Sequence, residues 1–158
     1  MKIKSLFFFL VLFGCSSSEC YYSQDKPLQN ITVENITEEI STIKKVSDFS
    51  DLLSENKKTL YPFYEIEDTS FLLDKAANAV SLIDNLYFDS LSYDVSLEFD
   101  NLQRVFYQFD KSIEKLNKES NRIFNPKITV LTSGFFNDVV VNGENIVIGL
   151  DYFLPTTN

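Results

Sequence analysis

The stretch Pro126–Leu154, PKITVLTSGFFNDVVVNGENIVIGLDYFL, decides the fold. Lys127 to Thr132 is β-branched and apolar, and Ser133-Gly134 breaks it. Val139-Val140-Val141 is a second apolar run. Asn142-Gly143 is a turn signal, and Asn145 to Phe153 resumes the strand pattern. Strand, Asn-Gly and strand in succession is a strong short-range hairpin signal. On pattern alone this is a structural sheet, and it names no chemistry.

Upstream the periodicity is helical. Ile40, Ile43, Val46, Phe49, Leu52 and Leu53 recur at three- and four-residue steps between Glu38 and Lys58, which predicts one amphipathic helix or two short ones. Leu60-Tyr61-Pro62-Phe63 should stop it, because Pro62 disfavours a helical Tyr61. Asp68 or Thr69 is a candidate cap for a second helix, whose apolar stripe is Leu72, Leu73, Ala76, Ala79, Val80 and Ile83. Asn85 to Asp94 reads as a connection. A third helix carries Leu102, Val105, Phe106, Phe109, Ile113 and Leu116, and Asn125-Pro126 ends it. Three or so helices followed by strands predict an α+β domain over 38–158, with the helices packed on a small antiparallel sheet.

The first residues say where the chain works. Lys2 and Lys4 precede the apolar run Leu6 to Phe13, then come Gly14 and Cys15. A charged start, a short apolar run and a small residue at the cut are the layout of a secretory signal over residues 1–14. The run is far shorter than the roughly 20 residues that span a bilayer. Leu12-Phe13-Gly14-Cys15 resembles a bacterial lipobox, in which Cys15 is the lipid attachment site and the membrane lipid is the partner. Ser16-Ser17-Ser18 argues against a buried helix running through Cys15. Two or three acyl chains anchor stably, where one is marginal. Residues 15–37 are polar and read as a flexible tether with an r.m.s. span of roughly 25 Å. Cys20 lies in that tether. Asn30-Ile31-Thr32 and Asn35-Ile36-Thr37 match the glycosylation sequon and read as chance in an Asn-rich stretch.

Composition removes several function classes. Histidine is absent, so the commonest general base, the commonest zinc ligand and the middle of a Ser-His-Asp triad are missing. The formal charge of -9 repels nucleic acid. Among the carboxylates, Asp151 invites the closest reading. Period-two alternation places it on one strand face with Val147 and Gly149, either lining a ligand groove or, more simply, bonding backbone amides in the next turn. Asp138 reads as a turn aspartate. Ser133-Gly134 lacks the nucleophile elbow and has no base. Glu65, Glu67 and Asp68 lack the spacing of a calcium loop. No catalytic, cofactor-binding or metal residue is assigned.

Lipobox, polar tether, helices, Leu60-Tyr61-Pro62-Phe63, the Phe-rich helix, Pro126-Lys127-Ile128-Thr129-Val130, Thr132-Ser133-Gly134-Phe135 and Ile146-Val147-Ile148-Gly149-Leu150-Asp151-Tyr152-Phe153-Leu154 follow in order. Together they resemble the N-terminal half of the GldB-type gliding-motility lipoproteins of Bacteroidetes. The resemblance implies an envelope lipoprotein of the inner or outer membrane, non-enzymatic, serving gliding and the protein secretion machinery through envelope protein partners. It also implies a fold like the N-terminal part of a zincin-like, degenerate metallopeptidase domain. Members continue beyond the position of Asn158, which implies a form shortened relative to the family. The alternatives are a degenerate or truncated peptidase-like hydrolase and a non-functional fragment.

Overall fold

A computed structural model describes residues 27–155; the signal sequence, Cys15 and Cys20 lie outside the described residues. Four strands form one mixed sheet in the order β1-β2-β4-β3: β1 Thr32–Asn35, β2 Lys127–Leu131, β3 Val139–Asn142 and β4 Asn145–Gly149. The expected hairpin is present. β3 and β4 pair antiparallel around Asn142 and Asn145, with Gly143 at φ +62° in the turn, a conformation that favours glycine.

The all-antiparallel expectation is corrected. β2 pairs with β1 on one side and with β4 on the other, both parallel. Parallel neighbours need a long crossover between them. The whole helical middle of the chain supplies it, because β1 precedes every helix and β2 follows them all. The expected tether over 15–37 is corrected for the same reason: from residue 27 onward it belongs to the domain, and Ile31 and Ile36, on either side of β1, are buried.

Among the described residues six helices replace the expected three or so: α1 Thr37–Thr42, α2 Val46–Glu55, α3 Lys57–Phe63, α4 Leu72–Ile83, α5 Leu86–Glu98 and α6 Gln103–Ser120. Pro62 does not stop α3 ahead of itself but lies inside its last turn. A proline there leaves the carbonyl four residues back without its helical donor. That carbonyl belongs to Lys58, and Asn142 Nδ2 donates to it at 3.0 Å. The segment read as a connection is α5, capped by Asn85, whose Oδ1 accepts from Tyr87 N at 3.0 Å.

Two cores flank the sheet. On one face Leu131 and Val147 pack with Ile40, Phe49, Leu53, Leu60, Phe63 and Ile83 from α1 to α4. On the other, Ile128 and Val130 pack with Val95, Phe106 and Ile113 from α5 and α6. A sheet covered on both faces explains why β2 reads as a continuous apolar run instead of alternating. α5 contributes Phe88 to the first core and Val95 to the second, and it contacts α1, α4 and the 3-10 turn Leu150–Phe153 that follows β4. It therefore lies across the carboxyl end of the parallel strands. It buries Phe88, Leu91 and Val95 but leaves Leu86, Tyr87, Tyr93 and Leu97 exposed, so it shows no single apolar stripe for periodicity to reveal.

Candidate functional site

At the carboxyl end of the parallel strands, residues 132–138 form the loop between β2 and β3. Asp151 organises it. β4 ends at Gly149, and Asp151 sits in the 3-10 turn beyond the strand, 1 % exposed. Its Oδ1 accepts from Ser133 N at 2.7 Å, and its Oδ2 from Ser133 Oγ at 2.9 Å and from Phe135 N. Ser133 Oγ in turn accepts from Phe136 N at 3.0 Å. Asp151 thus bonds backbone amides, as the simpler reading has it, but those of a loop 18 residues earlier rather than of the next turn. Ser133 serves as a strut of this clamp.

The clamp holds Phe135 in a conformation that bulky residues rarely adopt, with φ +62°. Asp151 fixes its N–H, and Tyr152 Oη donates to its carbonyl at 2.7 Å. The two rings meet edge to face at 5.6 Å, and both stay 44 % exposed. Gly149 permits the loop to close, since a Cβ there would lie 2.2 Å from Asn137 O. Gly149 N donates to Asp138 O at 2.7 Å. Asp138 keeps the turn role expected of it, its own Oδ1 taking Val139 N at 2.6 Å. Beneath the clamp Tyr64 is buried against Phe49, Phe63 and Phe136. Burial, and then the Asp151 charge, push its phenol well above the ordinary tyrosine range.

A second buried acid escaped sequence reading. Asp110 of α6 is 1 % exposed. It accepts from Gln29 N at 2.9 Å, Asn30 N at 2.6 Å and Asn30 Nδ2 at 3.3 Å. The signal was present. Asp110 follows Phe106 by four residues and precedes Ile113 by three, so it lies in the apolar stripe, where a carboxylate must find donors. The sequon residues Asn30 and Asn35 have structural duties: Asn30 donates to Asp110 across 80 residues, and Asn35 Oδ1 accepts locally from Thr37 N at 3.0 Å. The loose acidic group is dispersed. Asp68 takes Ser70 N at 2.8 Å and caps the turn Thr69–Phe71, while Glu65 lies 3.6 Å from Lys75.

The described residues form a mixed-sheet α+β domain whose two buried carboxylates, Asp110 and Asp151, both accept from backbone N–H groups. Residues 22–158 match the model of the family described as gliding motility protein GldB, and the chain belongs to that family. No curated protein and no solved structure matches significantly. The zincin-like likeness implied by the resemblance therefore has no support. Among the described residues no helix is long and apolar enough to cross a membrane.

Proposed function

We propose that this GldB-family protein is a lipid-anchored, non-enzymatic component of the cell envelope that serves gliding motility, and the protein secretion associated with it, by protein–protein contact. Cys15 is the anchor in this reading, supported by Leu12-Phe13-Gly14-Cys15 and the serines that follow. The observation that carries the non-enzymatic part is the occupancy of Asp110 and Asp151. Each is 1 % exposed and held by donors fixed in the chain, so neither presents its carboxylate to a substrate.

The contact face in this reading centres on Phe135 and Tyr152. A strained, half-exposed aromatic held at both its N–H and its carbonyl is a costly arrangement for stability alone. Such a ring fits a surface shaped for a partner, since aromatic residues are enriched where interfaces bind most tightly.

Deletion of the gene and complementation test the whole reading. The intact chain should restore colony spreading and protein secretion, and Cys15→Ala should not. Unimpaired spreading and secretion by the deletion strain would sink the role. Phe135→Gly separates contact from folding. It relieves the positive φ and should leave stability unchanged or raise it by about 1 kcal/mol. Spreading should nevertheless fall. Full spreading with Phe135→Gly would remove that ring from the contact face.

A further inference from the structure

The sheet ends in β1 on one side and β3 on the other, and the two edges differ. β1 carries Glu34, ion-paired with Lys127 at 2.7 Å. β3 is Val139-Val140-Val141-Asn142, with no charge, no proline and no break in its register. Among the described residues no strand lies beyond it. Val139 is 42 % exposed and Val141 65 %. Folded chains ordinarily blunt such an edge with a charge, a proline or a bulge, because its free N–H and C=O groups recruit another strand.

The register shows which groups are free. Gly149 N donates to Asp138 O at 2.7 Å, so Asp138 and Gly149 form a hydrogen-bonded pair. Bonded and non-bonded pairs alternate in an antiparallel ladder, so Val140–Val147 and Asn142–Asn145 are bonded pairs too. The N–H and C=O groups of Val139 and Val141 therefore point away from β4, towards the open edge. Asp138 Oδ1 takes the Val139 N–H at 2.6 Å. The Val139 carbonyl and both main-chain groups of Val141 have no strand to meet.

Charge is also ordered along this edge. α3 runs beside β3 in the opposite sense: Asn142 Nδ2 donates to Lys58 O at 3.0 Å, and Asn137 Nδ2 to Phe63 O at 2.7 Å. Exposed Lys57 and Lys58 thus stand at the Asn142 end. Exposed Asp138 stands at the other end, where Glu65, shared with Lys75, and Glu67 follow α3. A two-fold axis reverses this order and sets the basic end of one copy against the acidic end of the next.

We infer that β3 pairs with β3 of a second copy, antiparallel about Val140, joining two four-stranded sheets into one. In this register Val139 faces the partner's Val141, and Val141 faces the partner's Val139. Each Val141 N–H meets a free Val139 carbonyl, and release of Val139 N–H from Asp138 completes the reciprocal bonds. The exposed valine side chains cover each other across the pair. Asp138 comes opposite the partner's Asn142, beside the partner's Lys58, while Glu144 lies in the turn beyond the paired residues. A second copy supplies both the apolar pair and the reversed charge order from this sequence alone. The inference rests on the β3 backbone and not on the anchor or the Phe135 ledge.

Single cysteines at 139, 140 and 141 test the register in the full-length Cys15→Ser, Cys20→Ser protein, which has no other cysteine. Residues directly opposite at a non-hydrogen-bonded position stand within reach of a disulfide. In detergent under mild oxidation, Val140→Cys should form a covalent dimer well ahead of Val139→Cys and Val141→Cys, although Val140 is the least exposed of the three. The formal charge of -9 opposes association, so physiological salt is used to screen it. In sedimentation Val141→Lys should weaken self-association by roughly tenfold or more, with the circular dichroism unchanged. Sedimentation of the unsubstituted chain decides the matter even where Val140→Cys perturbs packing. A monomer at millimolar protein overturns the inference, and so does self-association untouched by Val141→Lys. Faster cross-linking at the more exposed positions 139 or 141 signals random collision and also overturns it. A monomer whose Val139 and Val141 amides still resist exchange overturns it too, and assigns the edge to another segment of this chain.

Discussion

Asp151 and Asp110 are equally buried, and each accepts three hydrogen bonds, yet they act on different scales. Asp151 closes a loop on a partner 18 residues away, inside the last third of the chain. Asp110 reaches across 80 residues to hold Gln29 and Asn30 at the entrance to the first strand. The first shapes a surface. The second decides whether the N-terminal strand joins the sheet. Identical chemistry gives a local clamp in one place and a topological one in the other, because what matters is which segment each carboxylate receives.

The comparison breaks first at Asp151. Asp151→Ala strips three donors of their acceptor in a buried site and should destabilise the fold by about 4 kcal/mol in urea unfolding. Asp151→Asn keeps one acceptor oxygen and should cost about half as much. Equal losses for the two variants would show that shape, not the paired oxygens, holds the loop. Asp110→Ala should cost less, about 2 kcal/mol, since its bonds are partly solvated. Its mark should be spatial. Amide exchange should speed up across Gln29 to Asn35 while β4 stays protected. Uniform acceleration across the sheet would mean that Asp110 is simply another core group.

Tyr64 sharpens the contrast through pH. Its phenol is raised in the folded state, so above about pH 10 the unfolded chain releases a proton that the folded chain keeps. Stability from this group is complete below that pH and declines as pH rises through the alkaline range. Tyr64→Phe should flatten the alkaline decline. Wild-type and variant curves of the same slope would show that the ring is not sealed beneath the clamp. The smallest effect belongs to Glu114, a carboxylate on the same helix as Asp110. Hydrogen bonds from Lys111 and Lys118 hold it down to about 2. Whatever it contributes is present above the usual glutamate range and fades as pH falls towards 2. In water it should matter little, so Glu114→Gln should leave the unfolding midpoint near its original value at neutral pH. A clear drop would mean that α6 depends on its solvent face as well as on its core.

Much of this architecture is written in local pattern. The β3–β4 hairpin follows from Asn142-Gly143 and the valines around it, and α6 from its 3.6-residue stripe. Failure came where identity depends on distant partners. Thr32–Asn35 is four residues in an Asn-rich stretch, and nothing local distinguishes it from a tether. Its strand character comes from β2, nearly a hundred residues on. Without that one strand no crossover is needed, and an antiparallel sheet suffices. α5 failed for a different reason. Leu86, Tyr87, Tyr93 and Leu97 are exposed while Phe88, Leu91 and Val95 are buried, so its apolar residues lie all round the helix. The site was half legible. Asp151 drew attention as a carboxylate at a strand end, but its donors lie in a loop that only the β2–β4 pairing brings alongside.

The parallel pairing of β1 with β2 has a mechanical consequence. The chain enters β1 at its amino end, beside Asp110, while the Phe135 ledge lies at the opposite, carboxyl end of the sheet. A pull between those two points runs along the strands. It loads the rungs between β1 and β2 in shear, all at once, instead of peeling them one by one. Such a joint resists until it fails as a unit. Drawn between its two ends, the domain behaves as a stiff link that transmits tension without stretching.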